Sequence, residues 1–359
     1  MAPDWPPARR SAQSRPIRWE SSRASPSSRW AFDVARVSPA EALSKGFRSL
    51  KVGYLVILPA RPHLFDSPAA ERADARAVPP AWVKELVGRA PSGRAFERVA
   101  VVRTRDFLLA SVRIAGAAET DGAELEAAAA QAYQMLAGSI RETSPWHPVR
   151  IWNFVPRILD DGGDEMDRYM RFNAGRYRAF MKWFGGAQGF DRMLPTASAV
   201  GHGGADLIVH LLAARQPGTG VSNPRQVSPH RYSKRFGPLP PCFARATRVK
   251  VPGGHEMLLA GGTASIRGEE SMHVGDLRRQ LAETFENLAT LVTSAFGPVD
   301  RPLEHYRTLR VYYVREGDLP EIRDAVIHAM PGLDVIERMP ATLCRGDLLV
   351  EIEGSAELR

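Results

Sequence analysis

Along its second half the chain switches between two hydrophobic periods. Residues 244–250 and 256–261 are short apolar or alternating runs, which predicts strands. From about 276 to 296 the apolar positions Leu277, Leu281, Phe285, Leu288 and Val292 recur at helical spacing. Asp276 is placed to cap the first turn of that helix, and Gly297-Pro298 to stop the last. A strand at 308–314, a short helix at about 320–330 and strands at 334–338 and 347–353 complete the order ββαβαββ. The first half reads the same way. Strands are predicted at 98–103 and 107–114, and a helix at about 121–141 with the Asp121/Glu124 spacing of a capping box. A strand at 149–155, a helix at about 164–184 and strands at 196–200 and 206–212 follow. Element order alone therefore predicts a duplicated α/β unit of about 115 residues. Residues 41–95 add one strand candidate, 51–58, and one helix candidate, 80–88.

The last predicted strand carries the chain's most suggestive chemistry. Leu348, Val350 and Ile352 face one way and Glu351 and Glu353 the other. If the apolar face packs under helices, a carboxylate projects from a rigid sheet, where its geometry is fixed and burial can tune its pKa. The plain alternative is a half-buried strand with a solvated outer face.

Composition narrows the reading. A chain of 359 residues with 44% hydrophobic content can bury a sizeable core. Cys242 and Cys344 imply no disulfide framework and suit a reducing, cytoplasmic compartment. No apolar run approaches the roughly 20 residues of a membrane span. The formal charge of +8 is concentrated at the start, where Arg9, Arg10, Arg15, Arg18, Arg23, Arg29 and Arg36 face only Asp4, Glu20 and Asp33. With its Ser and Pro content, residues 1–40 read as a disordered N-terminus. No zinc-finger, RNP or helix-turn-helix pattern supports a nucleic-acid partner. The expected division is 1–40, an N-terminal unit over 41–220 and a C-terminal unit over 221–359 that holds the Glu351 strand. Residues 215–240 form a Gly/Pro/Ser-rich connector, but Arg225, His230, Arg231, Tyr232, Lys234 and Arg235 make it better suited to an anion than to simple linkage.

The chain has no Walker loop, GxSxG elbow or HExxH motif, and its histidines lack the spacing of metal ligands. No metal site and no cofactor are expected. Cys344 could be a nucleophile, but no base lies near it in sequence, so a pocket-lining thiol is the better reading. Arg315 and Arg345 fall near strand ends. The guanidinium fork matches a carboxylate, and beside the Glu351 strand these arginines favour a small dicarboxylate substrate.

Several motifs together resemble those of the chorismatases, the chorismate-hydrolysing enzymes. They are Gly262-Thr263-Ala264-Ser265-Ile266 with Ser271-x-His273-x-Gly275-Asp276, Asn223-Pro224-Arg225-Gln226-Val227-Ser228, Arg231-Tyr232, and Cys344-Arg345-x-Asp347-Leu348-Leu349-Val350-Glu351-Ile352-Glu353. Arg150-Ile151-Trp152-Asn153, Arg168-Tyr169 and Gly175-Arg176 fit as well, so the resemblance covers roughly 95–354. It implies RidA/YjgF-like ββαβαββ units in a pseudo-trimeric arrangement within one chain, acting as a monomer. It also implies that Glu351 protonates the enolpyruvyl methylene of chorismate, releasing pyruvate and a dihydroxycyclohexadiene carboxylate or a 3- or 4-hydroxybenzoate. Arg345, Arg315 and Arg245 would offset the substrate carboxylates, and Tyr232 would contact the ring or a hydroxyl. The positions of Ala264 and Cys344 would bear on the product, with a lean towards a hydroxybenzoate. One departure is Gly268-Glu269, where the family usually has Gly-His. Two other functions stay open: a RidA-like imine or enamine hydrolase using the same glutamate, and a non-catalytic small-molecule binding protein on this fold.

Overall fold

Strand β2 (Phe107–Ile114) shows how alternation builds the molecule. Leu108, Ala110 and Val112 pack with Tyr133, Leu136 and Phe180 of two helices. Phe107 and Leu109 point the other way, into a cluster with Leu259 and Tyr312 of a second sheet and Leu348 from the turn before its last strand. A strand buried on both faces needs no polar side, and β2 has almost none.

The computed structural model describes residues 77–88, 99–141 and 145–358. The strand expected over 51–58 and the N-terminal stretch 1–40 lie outside these residues. The first sheet comprises β1 (Ala100–Arg103), β2, β3 (His147–Pro156), β4 (Thr196–His202) and β5 (Leu207–Ala214), in the order β1-β2-β5-β3-β4. The second comprises β6 (Thr219–Val221), β7 (Ala246–Lys250), β8 (Glu256–Ala264), β11 (Tyr306–Tyr313), β12 (Val335–Pro340) and β13 (Val350–Glu357). Its order is β12-β11-β13-β8-β7-β6. The short pair β9 (Ile266–Arg267) and β10 (Glu270–Ser271) forms a separate hairpin.

Without β6, each half places its last strand between its second and third and pairs its third and fourth in parallel. Shared topology supports the duplication more strongly than shared element order does. The described residues build two such halves and hold no third.

Helices cover the outer face of each sheet. In the first half these are α2 (Gly122–Arg141) and α3 (Arg168–Phe184), preceded by the short α1 (Val83–Val87) and followed by α4 (Phe190–Met193). In the second they are α5 (Leu277–Phe296) and α6 (Leu319–Ala329). The two sheets meet face to face through a shared apolar cluster, which gives four layers, α/β/β/α. Among the described residues no helix is long and apolar enough to cross a membrane.

Three boundaries differ from expectation for identifiable reasons. Helix α3 starts at Arg168 because the Asp167 carboxylate caps the Met170 N–H at 2.7 Å, while Asp164 and Glu165 adopt positive φ before it. Strand β13 runs on through Gly354, Ser355 and Ala356, residues of low strand propensity, because ladders to β8 and β11 hold it from both sides. The connector 215–240 contributes β6 to the sheet and then two 3₁₀ turns, Pro229–Arg231 and Lys234–Phe236, so it is part of the fold.

Candidate active site

Val350 and Ile352 of β13 enter the cluster under α5 and α6, so Glu351 and Glu353 point inward, towards the first sheet. Neither is solvated: Glu351 is 4% exposed and Glu353 2%. Room for the first carboxyl comes from the strand opposite. Glu351 pairs with Ala264, and the register slips between Ile352 and Gly354, so that β8 bulges at Gly261-Gly262. A methyl added at Gly262 would sit 1.9 Å from Glu351 Oε1, and one at Gly261 would sit 2.9 Å from the Ala197 carbonyl of β4. The two glycines thus let the acid lie across β8 and bring β4 against it.

Glu353 has a different environment. It accepts hydrogen bonds from Arg150 Nη2 at 2.6 Å, from Trp152 Nε1 at 2.8 Å and from the Ser198 hydroxyl, all from the first sheet. Glu351 makes no such set of bonds. Burial, and then the charge of Glu353, push its carboxyl up to about 8, against the opposing pull of Arg150 and Arg245. Of two carboxyl groups on one strand face, one is thus ion-paired with a guanidinium and the other is not, an asymmetry of environment that suits different roles.

A pocket of about 480 Å³ opens onto Glu351. Four guanidinium groups line it: Arg235, which is exposed and paired with Glu270, and Arg176, Arg245 and Arg345. Arg245, 8% exposed, donates to Tyr232 Oη at 2.5 Å and lies 5.5 Å from the Phe243 ring centre, with its Nε buried and unpartnered. Arg345 stacks 4.1 Å over Phe236 and 5.5 Å from the Tyr232 ring centre, and donates to the Glu269 carbonyl at 2.7 Å. Arg176 is 1% exposed. It donates to Asn173 Oδ1 at 2.7 Å, and its Nε is likewise buried without a partner. Of Arg176, Arg245 and Arg345, none forms an ion pair with a described carboxylate. A buried cation served by neutral partners is costly unless an anion joins it.

Six of the seven residues expected from sequence meet here: Glu351, Arg345, Arg245, Tyr232, Ala264 and Cys344. Arg315 does not. It lies exposed beyond the end of β11, as the N-cap of a 3₁₀ turn, and is absent from the pocket lining. Proximity to a strand end carried no information about which end of the sheet that was. Arg176 from α3 supplies a third guanidinium instead. Its neighbour Gly175 lets α3 approach α2, since a methyl there would meet the Glu126 carbonyl at 2.1 Å. Ser198 and Tyr169 also line the pocket without having been singled out as site residues. Only the Gly175-Arg176 and Arg168-Tyr169 motifs could have flagged that helix. The Cys344 thiol is pushed up to about 12 by burial and by the Glu351 charge, so it is a wall and not a nucleophile. Glu269, at the departure from the family pattern, sits on the rim and accepts the Ser233 N–H at 2.8 Å, tying the 229–236 loop to the β9–β10 hairpin.

A duplicated ββαβαββ fold with a dry carboxylic acid facing guanidinium groups across the join of its halves defines a site for acid chemistry on a small anion. Comparison with known proteins supplies named relatives. Residues 86–213 match the family model described as chorismatase FkbO/Hyg5-like, N-terminal. A 3-hydroxybenzoate synthase of Streptomyces hygroscopicus is 36% identical over 215 residues, covering 57% of this chain and 62% of the relative, under two thirds of its length. A chorismatase of Streptomyces rapamycinicus is 29% identical over 289 residues, covering 76% of this chain and 80% of the relative. A crystal structure of chorismatase superposes with a TM-score of 0.63 at 28% identity, over 73% of this chain and 78% of that one. The chain is thus similar to chorismatases over most of its length, and residues 86–213 match the N-terminal model of that family.

Proposed function

We propose that the protein cleaves the enolpyruvyl ether of chorismate with Glu351 as general acid. The neutral carboxyl gives its proton to the terminal methylene carbon, leaving an oxocarbenium centre on the ether carbon. Water adds there and returns a proton to the Glu351 carboxylate. The resulting hemiketal breaks the bond from its carbon to the ring oxygen, which takes the hemiketal hydroxyl proton, giving pyruvate and a dihydroxycyclohexadiene carboxylate; loss of one water from that diol gives a hydroxybenzoate. An acid that stays protonated near neutral pH suits the first step, and as a carboxylate it suits the second. Arg345, Arg245 and Arg176 are assigned to the two carboxylates of the substrate, and Tyr232 to its ring or hydroxyl face. The chemistry needs only an acid and water, so no cofactor is invoked.

The observation that carries this reading is the 4% exposed Glu351 carboxyl facing a pocket lined by four arginines, three of which, Arg176, Arg245 and Arg345, have no carboxylate partner among the described residues. The similarity to a protein named 3-hydroxybenzoate synthase, together with Cys344 in the pocket wall, supports a hydroxybenzoate as the cyclic product. Incubation with chorismate should release stoichiometric pyruvate, and chromatography should find 3-hydroxybenzoate. Glu351→Gln should abolish release while leaving chorismate binding measurable by calorimetry. Hydrolysis of simple imines without action on chorismate would replace this reading with the RidA-like one. Chorismate binding without turnover by either route would leave a binding protein.

A further inference from the structure

Strand β13 carries two buried carboxyl groups on one face, and the proposed chemistry uses one. The other is held with unusual completeness. Two residues along a strand separate Glu353 from Glu351 by about 6.6 Å of backbone rise. Arg150 and Trp152 of β3 and Ser198 of β4 all donate to Glu353, and the Arg150–Glu353 ion pair at 2.6 Å has side chains only 1% and 2% exposed. Ser198 Oγ also accepts from Arg150 Nη2 at 2.5 Å and from the Gly262 N–H at 2.9 Å. Its one hydrogen is committed to Glu353, so it has none to offer Glu351 or a substrate although it lines the pocket.

Buried ion pairs are weak contributors to stability, and apolar side chains of similar size hold two sheets together as well or better. What Arg150 and Glu353 supply that an apolar pair could not is a fixed charge beside the acid. The groups around Glu351 come from several elements. Glu353 lies on its own strand, Tyr312 pairs with it on β11, and Arg150 reaches it from β3. Arg245 approaches from the segment before β7, Tyr169 from α3, and Cys344 from the turn before β13. Arg176, Arg235 and Arg345 share the pocket, as do Asp167, Glu270 and Asp347 from other segments of its wall, and Ala264 and Gly262 of β8 bring no charge. Burial holds the tyrosine and cysteine groups neutral at ordinary pH. The anion in this set that shares a strand face with Glu351 is Glu353.

We propose that Glu353 is a positioning residue for catalysis: pinned as an anion by Arg150, Trp152 and Ser198, it keeps Glu351 protonated between turnovers and sets the upper pH limit of the reaction. This rests on Glu351 being the acid. The wild-type profile should fall above a limb near 8. Glu353→Gln should move that limb down by about one pH unit or more, because the opposing Arg150 charge is left alone, while turnover on the acid side stays within about tenfold of wild type. Glu353→Asp should bring the limb most of the way back. Because Glu353→Gln leaves a buried cation and could fail to fold, the double variant R150M/E353Q removes both charges. Its limb should also move down, by less than in the single variant. A limb that stays in place in the folded variants overturns the proposal.

An activity-independent measurement separates this from failure of the chorismate reading. The pH dependence of urea unfolding, compared with and without the Glu351→Gln substitution, reports the titration of Glu351 whatever its substrate. If that titration moves in the R150M/E353Q background and chorismate is not turned over, the coupling stands and the substrate is wrong. If chorismate is turned over and neither titration nor limb moves, the coupling is wrong.

Discussion

Replacing Glu351 by glutamine should change how stability depends on pH, with a size that follows from the burial of this one carboxyl. In the unfolded chain the group titrates near 4.5, and in the folded protein near 8. At 1.36 kcal/mol per unit, the neutral form is preferred on folding by about 5 kcal/mol. The folded value is raised, so the folded state holds the proton when the unfolded chain has lost it. Its contribution to stability is complete below about 4.5 and is lost as pH rises through about 8. The glutamine side chain mimics the neutral carboxyl and does not titrate. Unfolding free energies from urea titrations at steps between pH 5 and 8.5 should therefore diverge. Wild type minus Glu351→Gln should become less favourable to the wild type by roughly 4 kcal/mol over that range. Every other titrating group is common to both proteins and cancels in the difference. A difference that stays flat across the window would refute a buried, protonated Glu351, and with it the acid assigned to the reaction.

Other outcomes can be checked with single variants. Gly262→Ala places a methyl 1.9 Å from Glu351 Oε1; displacing the acid by about an ångström should lower kcat at least 100-fold, with a stability cost of about 1–3 kcal/mol, and wild-type turnover would contradict the close approach. Arg176→Met keeps the apolar stem and removes a buried guanidinium, so KM for chorismate should rise by about tenfold or more, with an unchanged circular dichroism spectrum; an unchanged KM would remove Arg176 from the clamp. With both thiols pushed up to about 12, alkylation of Cys242 and Cys344 by iodoacetamide at pH 8 should run on the order of 1000-fold slower than that of a free cysteine, read by mass spectrometry.

Much of the fold was legible because its signals are local. The Leu277–Val292 stripe, the Asp276 and Asp121 caps and the alternation of Val350 and Ile352 with Glu351 and Glu353 are each decided within a few residues, whereas Leu348, expected on the Val350 face, precedes the strand and packs between the sheets. Sheet order and face-to-face packing are not, since they depend on partners far along the chain. Glu351 and Glu353 look like a solvated strand face until the first sheet is laid over them, and Arg150 and Arg176 look like surface residues until helix and sheet enclose them. Arg315 illustrates the opposite error: its place beside a strand suggested the site, but a turn carries it to the exposed end of the sheet. Chain order of motifs marked which segments mattered more reliably than it marked which side chains would meet.

Glu351 comes from one half of the duplicated fold, and Arg176 and Ser198 from the other. The reactive centre is therefore a property of the seam, and a fragment of either half alone lacks one side of it. Any loosening of the apposed sheets would draw Arg176 away from the proposed proton donor before either half unravels. Heating should thus silence the proposed activity ahead of the global melting transition, and a split gene could regain it only by reassembling its pieces.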